Sequence, residues 1–247
     1  MNLGYELEDA DGRLKISFKE NPVAWDRFAS QLVKDEVILD TENAKKKLEE
    51  GDEIVYSVYN VWKFIDSVKA ISTKIDASSN ITLLRHGVFS TTDSGELFLT
   101  YGHAHEKYYG EFYTILKNQC FIVLADIQTN ETFIIQLKEG DSIFIHPKFL
   151  HRMVSYKKDV LMFDTSPRGA GHNYEIVKKK GFPFHVFYDA KRDEIKFVKN
   201  KKYENSKLKF FERIEPKINP IELLEKDPEK LKDILENPDR HKKIYFW

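Results

Sequence analysis

A mainly β domain, built as a sandwich or barrel of short strands, is what this sequence predicts. From Glu53 onward the apolar period is two, the spacing that places alternate side chains on one face of a strand. The alternating runs recur at short intervals, and polar turns such as Thr129-Asn130, Glu139-Gly140 and Lys157-Lys158-Asp159 divide them. Many short strands punctuated in this way make a sandwich or barrel rather than a layered α/β sheet.

The elements follow in order. Residues 1–50 form an N-terminal extension with short helices. Trp25 to Val33 predicts one, and Asp40-Thr41 caps another through Leu48, because a side-chain oxygen there accepts an orphan backbone N–H. Glu49-Glu50-Gly51-Asp52 ends it. The barrel spans residues 51–200. Ile54–Val61 opens it, followed by runs over 80–89, 96–101, 110–117, 119–127, 131–137, 141–146, 151–155 and 160–164. A further hairpin joins 184–188 to 194–198. Residues 201–247 form a lysine-rich C-terminal extension, punctuated by Pro216, Pro220, Pro228 and Pro238. Asp227-Pro228-Glu229 starts a helix with proline in its first turn, and Leu231, Ile234 and Leu235 give it an apolar stripe. The last residues, Ile244-Tyr245-Phe246-Trp247, are apolar enough to dock.

Composition narrows the function. The chain has 247 residues, 41% of them hydrophobic and 13% aromatic, enough for a sizeable core. A net charge of -1 gives no electrostatic case for nucleic acid. No apolar run reaches the length of a membrane span, and the acidic N-terminus has no apolar leader core, so the expectation is a soluble cytoplasmic protein. The single cysteine, Cys120, precedes Phe121-Ile122-Val123-Leu124 and is expected in the core.

The chemistry concentrates in His103-Ala104-His105, with Glu111 shortly after and His151 beyond a Gly140…Pro147 segment. Two histidines one residue apart share a strand face. Three imidazoles and a carboxylate suit a divalent ion such as Fe, Mn, Ni or Zn, with positions left for substrate or water. Asn118 stands where a left-handed turn residue is expected.

These blocks, Gly102-His103-Ala104-His105…Glu111…Asn118 and Gly140…Pro147…His151, resemble the two metal motifs of the cupin superfamily. Further blocks are similar to the cupin-type glucose-6-phosphate isomerases of archaea and some bacteria. They are Ile54–Tyr59, Leu99-Thr100-Tyr101-Gly102, Glu111-Phe112-Tyr113, Pro147…His151-Arg152 and Gly169-Ala170-Gly171-His172-Asn173-Tyr174. The resemblance covers roughly Gln31 to Lys201. It implies a cupin barrel (a double-stranded β-helix, or jelly roll) that interconverts glucose 6-phosphate and fructose 6-phosphate as a homodimer. It implies one divalent metal ion per subunit, held by His103, His105, Glu111 and His151. It implies substrate contacts from Tyr56, Thr82, Thr100, Gly102 and Tyr113, with Glu111, His172 and Tyr174 nearest the chemistry. The phosphate would be held by hydroxyl and backbone donors.

Several positions depart from the family pattern. Five residues, 106–110, separate the second histidine from Glu111, where the family has six. Lys148 and Ser166 replace pocket tyrosines, and Arg85 replaces an aromatic. Lys148, next to Pro147 and close to His151, is expected to face the pocket as a substrate contact, where its cation would pair with a phosphate or carboxylate. The segment around Ser67–Ser79 and the C-terminal extension are longer than the family's. These changes keep open a different sugar phosphate or sugar acid as substrate, a non-catalytic sugar-binding cupin, and an iron-dependent dioxygenase. Glu111 reads equally as a pure ligand or as a ligand that also moves a proton. His146 reads as a strand-end residue or a neighbour of the site, and His86, His185 and His241 as structural.

Overall fold

A computed structural model describes every residue except Asn21, Pro216 and Trp247. The punctuation at Pro216 and the final tail residue, Trp247, therefore lie outside the described residues. The chain begins with a hairpin, β1 (Tyr5–Ala10) and β2 (Arg13–Phe18). Asp11 and Gly12 turn it with φ of 53° and 87°, the left-handed pair that matches strand twist. Then come β3 (Ala24–Phe28), α1 (Ala29–Lys34) and α2 (Thr41–Glu50). Next are β4 (Ile54–Tyr59), α3 (Val61–Phe64), α4 (Asp66–Lys74) and β5 (Ala77–Leu84). Short β6 (Gly95–Glu96) and β7 (Ala104–His105) lead to β8 (Glu111–Lys117), β9 (Gln119–Asp126) and β10 (Glu131–Lys138). The barrel continues with β11 (Ser142–Ile145), β12 (Leu150–Ser155), β13 (Val160–Pro167) and β14 (His172–Asn173). The remainder is β15 (Phe184–Asp189), β16 (Glu194–Lys199), β17 (Lys207–Phe211), α5 (Pro220–Lys226) and α6 (Pro228–Glu236).

Two sheets make the barrel. One has the order β11-β8-β13-β5-β4-β3 and is antiparallel throughout. The other has the order β12-β9-β10-β17, with β17 parallel to β10. Their facing sides share one core, with Val55, Leu84 and Met162 from the first sheet and Leu124, Ile135 and Val154 from the second. The run Val160-Leu161-Met162-Phe163 is apolar at every position because both its faces are covered. Val160 and Met162 face this core, while Leu161 and Phe163 join a second cluster with Val68 of α4 and Leu231, Ile234 and Leu235 of α6. Each such side chain contributes about 1.5–3 kcal/mol when fully buried.

Two sequence expectations change here. Trp25 to Val33 is not one helix. Ala24–Phe28 pairs antiparallel with β4, and the helix starts only at Ala29, so cross-strand pairing outweighs helix propensity. The N-terminal segment also holds the β1–β2 hairpin, and β3 and β17 carry the two sheets beyond residues 51–200. Other expectations hold. Asp40 caps α2 by accepting from Asn43 N at 3.2 Å, and Asp227 caps α6 from Lys230 N. Asn118 takes φ of 63°. Cys120 is fully buried among the β9 core residues. The apolar tail docks on its own barrel: Tyr245 stacks on Phe144 and Phe246 meets Phe133. No helix among the described residues is long and apolar enough to cross a membrane.

Candidate metal centre and active site

The four predicted ligands converge through backbone pairing. His103 and His151 exchange backbone hydrogen bonds across an isolated bridge, N–H to O at 3.2 and 3.0 Å, which sets their rings 4.3 Å apart. Just before them, Gly102 takes φ of 81° with Phe182 packed where a Cβ would be, so only glycine admits this turn. Glu111 enters from the first residue of β8. Its Oε2 lies 2.9 Å from His151 Nε2, 3.2 Å from His105 Nε2 and 3.9 Å from His103 Nε2. One ligand atom from each of the four residues lies within 4.8 Å of the others.

The polar groups of the cluster could hold a metal ion. His105 Nδ1 donates to the Tyr109 carbonyl at 2.5 Å, which leaves its Nε2 with a lone pair aimed at the cluster. His103 Nε2 is buried with no hydrogen-bond partner. Burial would raise the Glu111 carboxyl, but hydrogen bonds and charge from His105 and His151 hold it well below the usual carboxylate range. Burial, then His151 and His172, hold the His103 imidazole well below the usual histidine range. A buried carboxylate ringed by three imidazole nitrogens is a donor set that suits a divalent ion.

Above the ligands is a cavity of about 300 Å³. His103, Glu111 and His151 line it, and His105 joins the cluster without reaching the cavity wall. Tyr56, Thr82, Thr100, Gly102 and Tyr113 all lie on its wall. Thr100 Oγ1 accepts from Met153 N at 3.0 Å, and Tyr56 Oη accepts from Tyr101 N at 3.4 Å. Burial, reinforced by Glu111 and Asp164, pushes the Tyr113 phenol well above its usual range. The segment from Ala170 to Tyr174 folds over the cluster because β14 pairs with β7, His172 opposite His105. The His172 ring stands 4.2 Å from that of His103, and its Nδ1 is 3.4 Å from the Tyr174 hydroxyl. Burial, then Tyr56, pushes Tyr174 up to about 12.

Lys148 is a correction. It does not line the cavity; its Nζ lies 3.4 Å from Asp126 Oδ2 and over the Phe149 ring. Adjacency to His151 misleads because β12 starts at Leu150, and Lys148 lies in the turn before it. Ser166 does line the cavity, whereas Arg85 pairs with Asp159 at 2.8 Å, away from it. His146 also turns away, toward Tyr108 and Asp239. Sequence reasoning missed Asn60, Asn80 and Asp164 on the cavity wall. Burial, then the charge of Glu111, raises the Asp164 carboxyl well above the carboxylate range. The available signal was parity: Asp164 and Met162 share a face of β13, as Asn80 and Thr82 do on β5.

Two facing, largely antiparallel sheets with three imidazoles and a carboxylate at the mouth define a cupin barrel. The chain belongs to the glucose-6-phosphate isomerase family, whose model matches residues 30–204. It is 30% identical over 146 residues to a glucose-6-phosphate isomerase of Thermococcus litoralis, covering 58% of this chain and 70% of that one. It is 27% identical over 165 residues to the Thermococcus onnurineus protein of the same name, covering 66% of this chain and 80% of that one. Among solved structures, an oxalate decarboxylase from Bacillus subtilis matches at a TM-score of 0.34 and 14% identity, covering 44% of this chain and 24% of that chain.

Proposed function

We propose that the protein interconverts glucose 6-phosphate and fructose 6-phosphate, with one divalent ion held by His103, His105, Glu111 and His151. The observation that carries this reading is the convergence of those four residues, three of them on the wall of a cavity large enough for a hexose phosphate. Fe, Mn, Ni and Zn all suit the donors. An ion bound there supplies Lewis acidity toward the carbonyl and adjacent hydroxyl oxygens of an open-chain sugar.

The chain's own residues do the rest. Conversion of aldose to ketose takes a proton from C2 and returns one at C1, while a hydroxyl proton moves from O2 to O1. Glu111 reaches the cluster through Oε2, and its other oxygen is the base for the carbon-bound proton. His172 and Tyr174, on the flap over the cluster, exchange the hydroxyl proton: the imidazole accepts, and the phenol remains a donor near neutral pH. Tyr113 directs a neutral hydroxyl into the same space. Thr82, Thr100, Ser166 and the Gly102 backbone receive the phosphate with hydroxyl and N–H donors.

One observation favours a second reading, the same chemistry on a different sugar: no lysine or arginine lines the cavity among the described residues. We further read the protein as a cytoplasmic homodimer, which sedimentation would check. The primary test is conversion of fructose 6-phosphate to glucose 6-phosphate by purified protein, before and after chelation and re-addition of each metal. Activity lost to chelator and restored by one ion is expected. Folded, metal-loaded protein without turnover would overturn the reading in favour of another sugar or a binding cupin.

A further inference from the structure

The cavity wall also carries a polar row that the isomerase chemistry does not use. Asp164 pairs in register with Asn80 on one side and with Tyr113 on the other. Asn60 Nδ2 donates to Asn80 Oδ1 at 2.9 Å, and Asn80 Nδ2 donates to Asp164 Oδ1 at 2.8 Å. All three residues line the cavity, and Asp164 is only 7% exposed. Its Oδ2 has no hydrogen-bond partner among the described residues, and no lysine, arginine or histidine pairs with it.

A buried carboxyl without an ion pair or a second bond does not serve stability. A carboxyl with one oxygen fixed by an amide relay and the other aimed into a cavity is a hydroxyl-binding group. Its position gives the distance. Tyr113, its register partner, is two residues along β8 from Glu111, which is about 7 Å of strand. A sugar with C1 and C2 at the metal ligands would therefore bring a hydroxyl of C3 to C5 to Asp164.

We propose that Asp164, oriented by Asn80 and Asn60, binds a hydroxyl on C3, C4 or C5 of the sugar and so determines which sugars the enzyme accepts. A site built to bond a hydroxyl rejects the analogue lacking it far more strongly than an apolar wall does. The proposal rests on the isomerase reading of the same cavity.

The test is calorimetric binding of sorbitol 6-phosphate, the unreactive reduced form of the substrate, and of its 3-, 4- and 5-deoxy analogues to the metal-loaded protein. One deoxy analogue is expected to bind wild-type protein about tenfold or more weakly than the parent. In Asp164→Ala the parent weakens by a similar factor, and that analogue binds no worse than the parent. If Asp164→Ala fails to fold, Asp164→Asn keeps the shape and is expected to show the same selective change, reduced in size. Equal losses for all analogues in wild type and variant would overturn the proposal. If wild-type protein binds sorbitol but not its 6-phosphate, the phosphorylated-substrate reading falls, and the deoxysorbitol series decides the subsite by the same criteria. Binding of neither parent overturns the subsite.

Discussion

Asp159 holds the N-terminal hairpin onto the barrel, and removing its charge should loosen both. Its side chain is fully buried between the start of β2 and the segment that follows β5. Oδ2 accepts from Leu14 N at 3.0 Å and Arg85 Nη1 at 2.8 Å, while Oδ1 accepts from His86 N at 2.8 Å. In Asp159→Asn one oxygen survives for His86, and an NH2 group then faces two donors. The stranded Leu14 N–H costs about 1–3 kcal/mol. Loss of the ion pair to Arg85, which is partly exposed, adds about 1 kcal/mol after solvent screening. The sum, about 2–4 kcal/mol, lowers Tm by roughly 5–15 °C for a chain of this length. Thermal melts of the two proteins across pH provide the assay. Burial would raise the Asp159 carboxyl, but the bonds from His86, Leu14 and Arg85 hold it well below the usual range. The folded protein therefore binds this proton less readily than the unfolded chain. Its stabilisation is whole above the unfolded value of about 4 and fades as the pH falls toward the folded value. The gap between wild type and variant should be constant near neutrality and narrow on acidification. A gap below about 0.5 kcal/mol at pH 7, or one that widens with acid, would refute the reasoning.

Three further outcomes follow from the site. Glu111→Gln removes the one carboxylate of the candidate ligand set, so equilibrium dialysis should show metal affinity down by at least about tenfold, with turnover falling in step. Gly102→Ala places a Cβ 2.6 Å from Phe182 at φ of 81°, and denaturant melts should record a loss of about 2–4 kcal/mol. Lys148→Ala should leave kcat/KM for fructose 6-phosphate within about twofold, since its ammonium sits with Asp126; a drop of tenfold would restore it to the pocket.

Much of the barrel was legible because its strands announce themselves locally. Ile54–Tyr59, Gln119–Asp126 and Glu131–Lys138 carry either alternation or an apolar run bounded by polar turns, and the structure sets their ends within a residue or two. The four metal-site residues were legible because the spacing of His103, His105 and Glu111 is short and their parity fixed. The hairpin signal at Asp11-Gly12 was also present, inside a stretch read only for its charge. What could not be read locally depends on partners far away in sequence. Trp25 joins a strand because β4 offers an edge, and Lys207–Phe211 joins β10 across a long connection. Asn60, Asn80 and Asp164 form one row only once β5 and β13 are in register and the turn after β4 lies beside them. Lys148 shows the converse: closeness in sequence to His151 says nothing about direction in a turn.

The backbone N–H of Gly110 donates to the carbonyl of Leu235 at 2.7 Å. This bond ties the residue just before Glu111 to one of the orphan carbonyls at the end of α6. During synthesis the histidines and the carboxylate leave the ribosome long before residue 235 exists. A nascent chain can thus hold all four ligands and still lack the clasp that sets the carboxylate's height. The site therefore gains this clasp only once α6 has been made, and a chain cut short before α6 would carry its ligand residues without that bond.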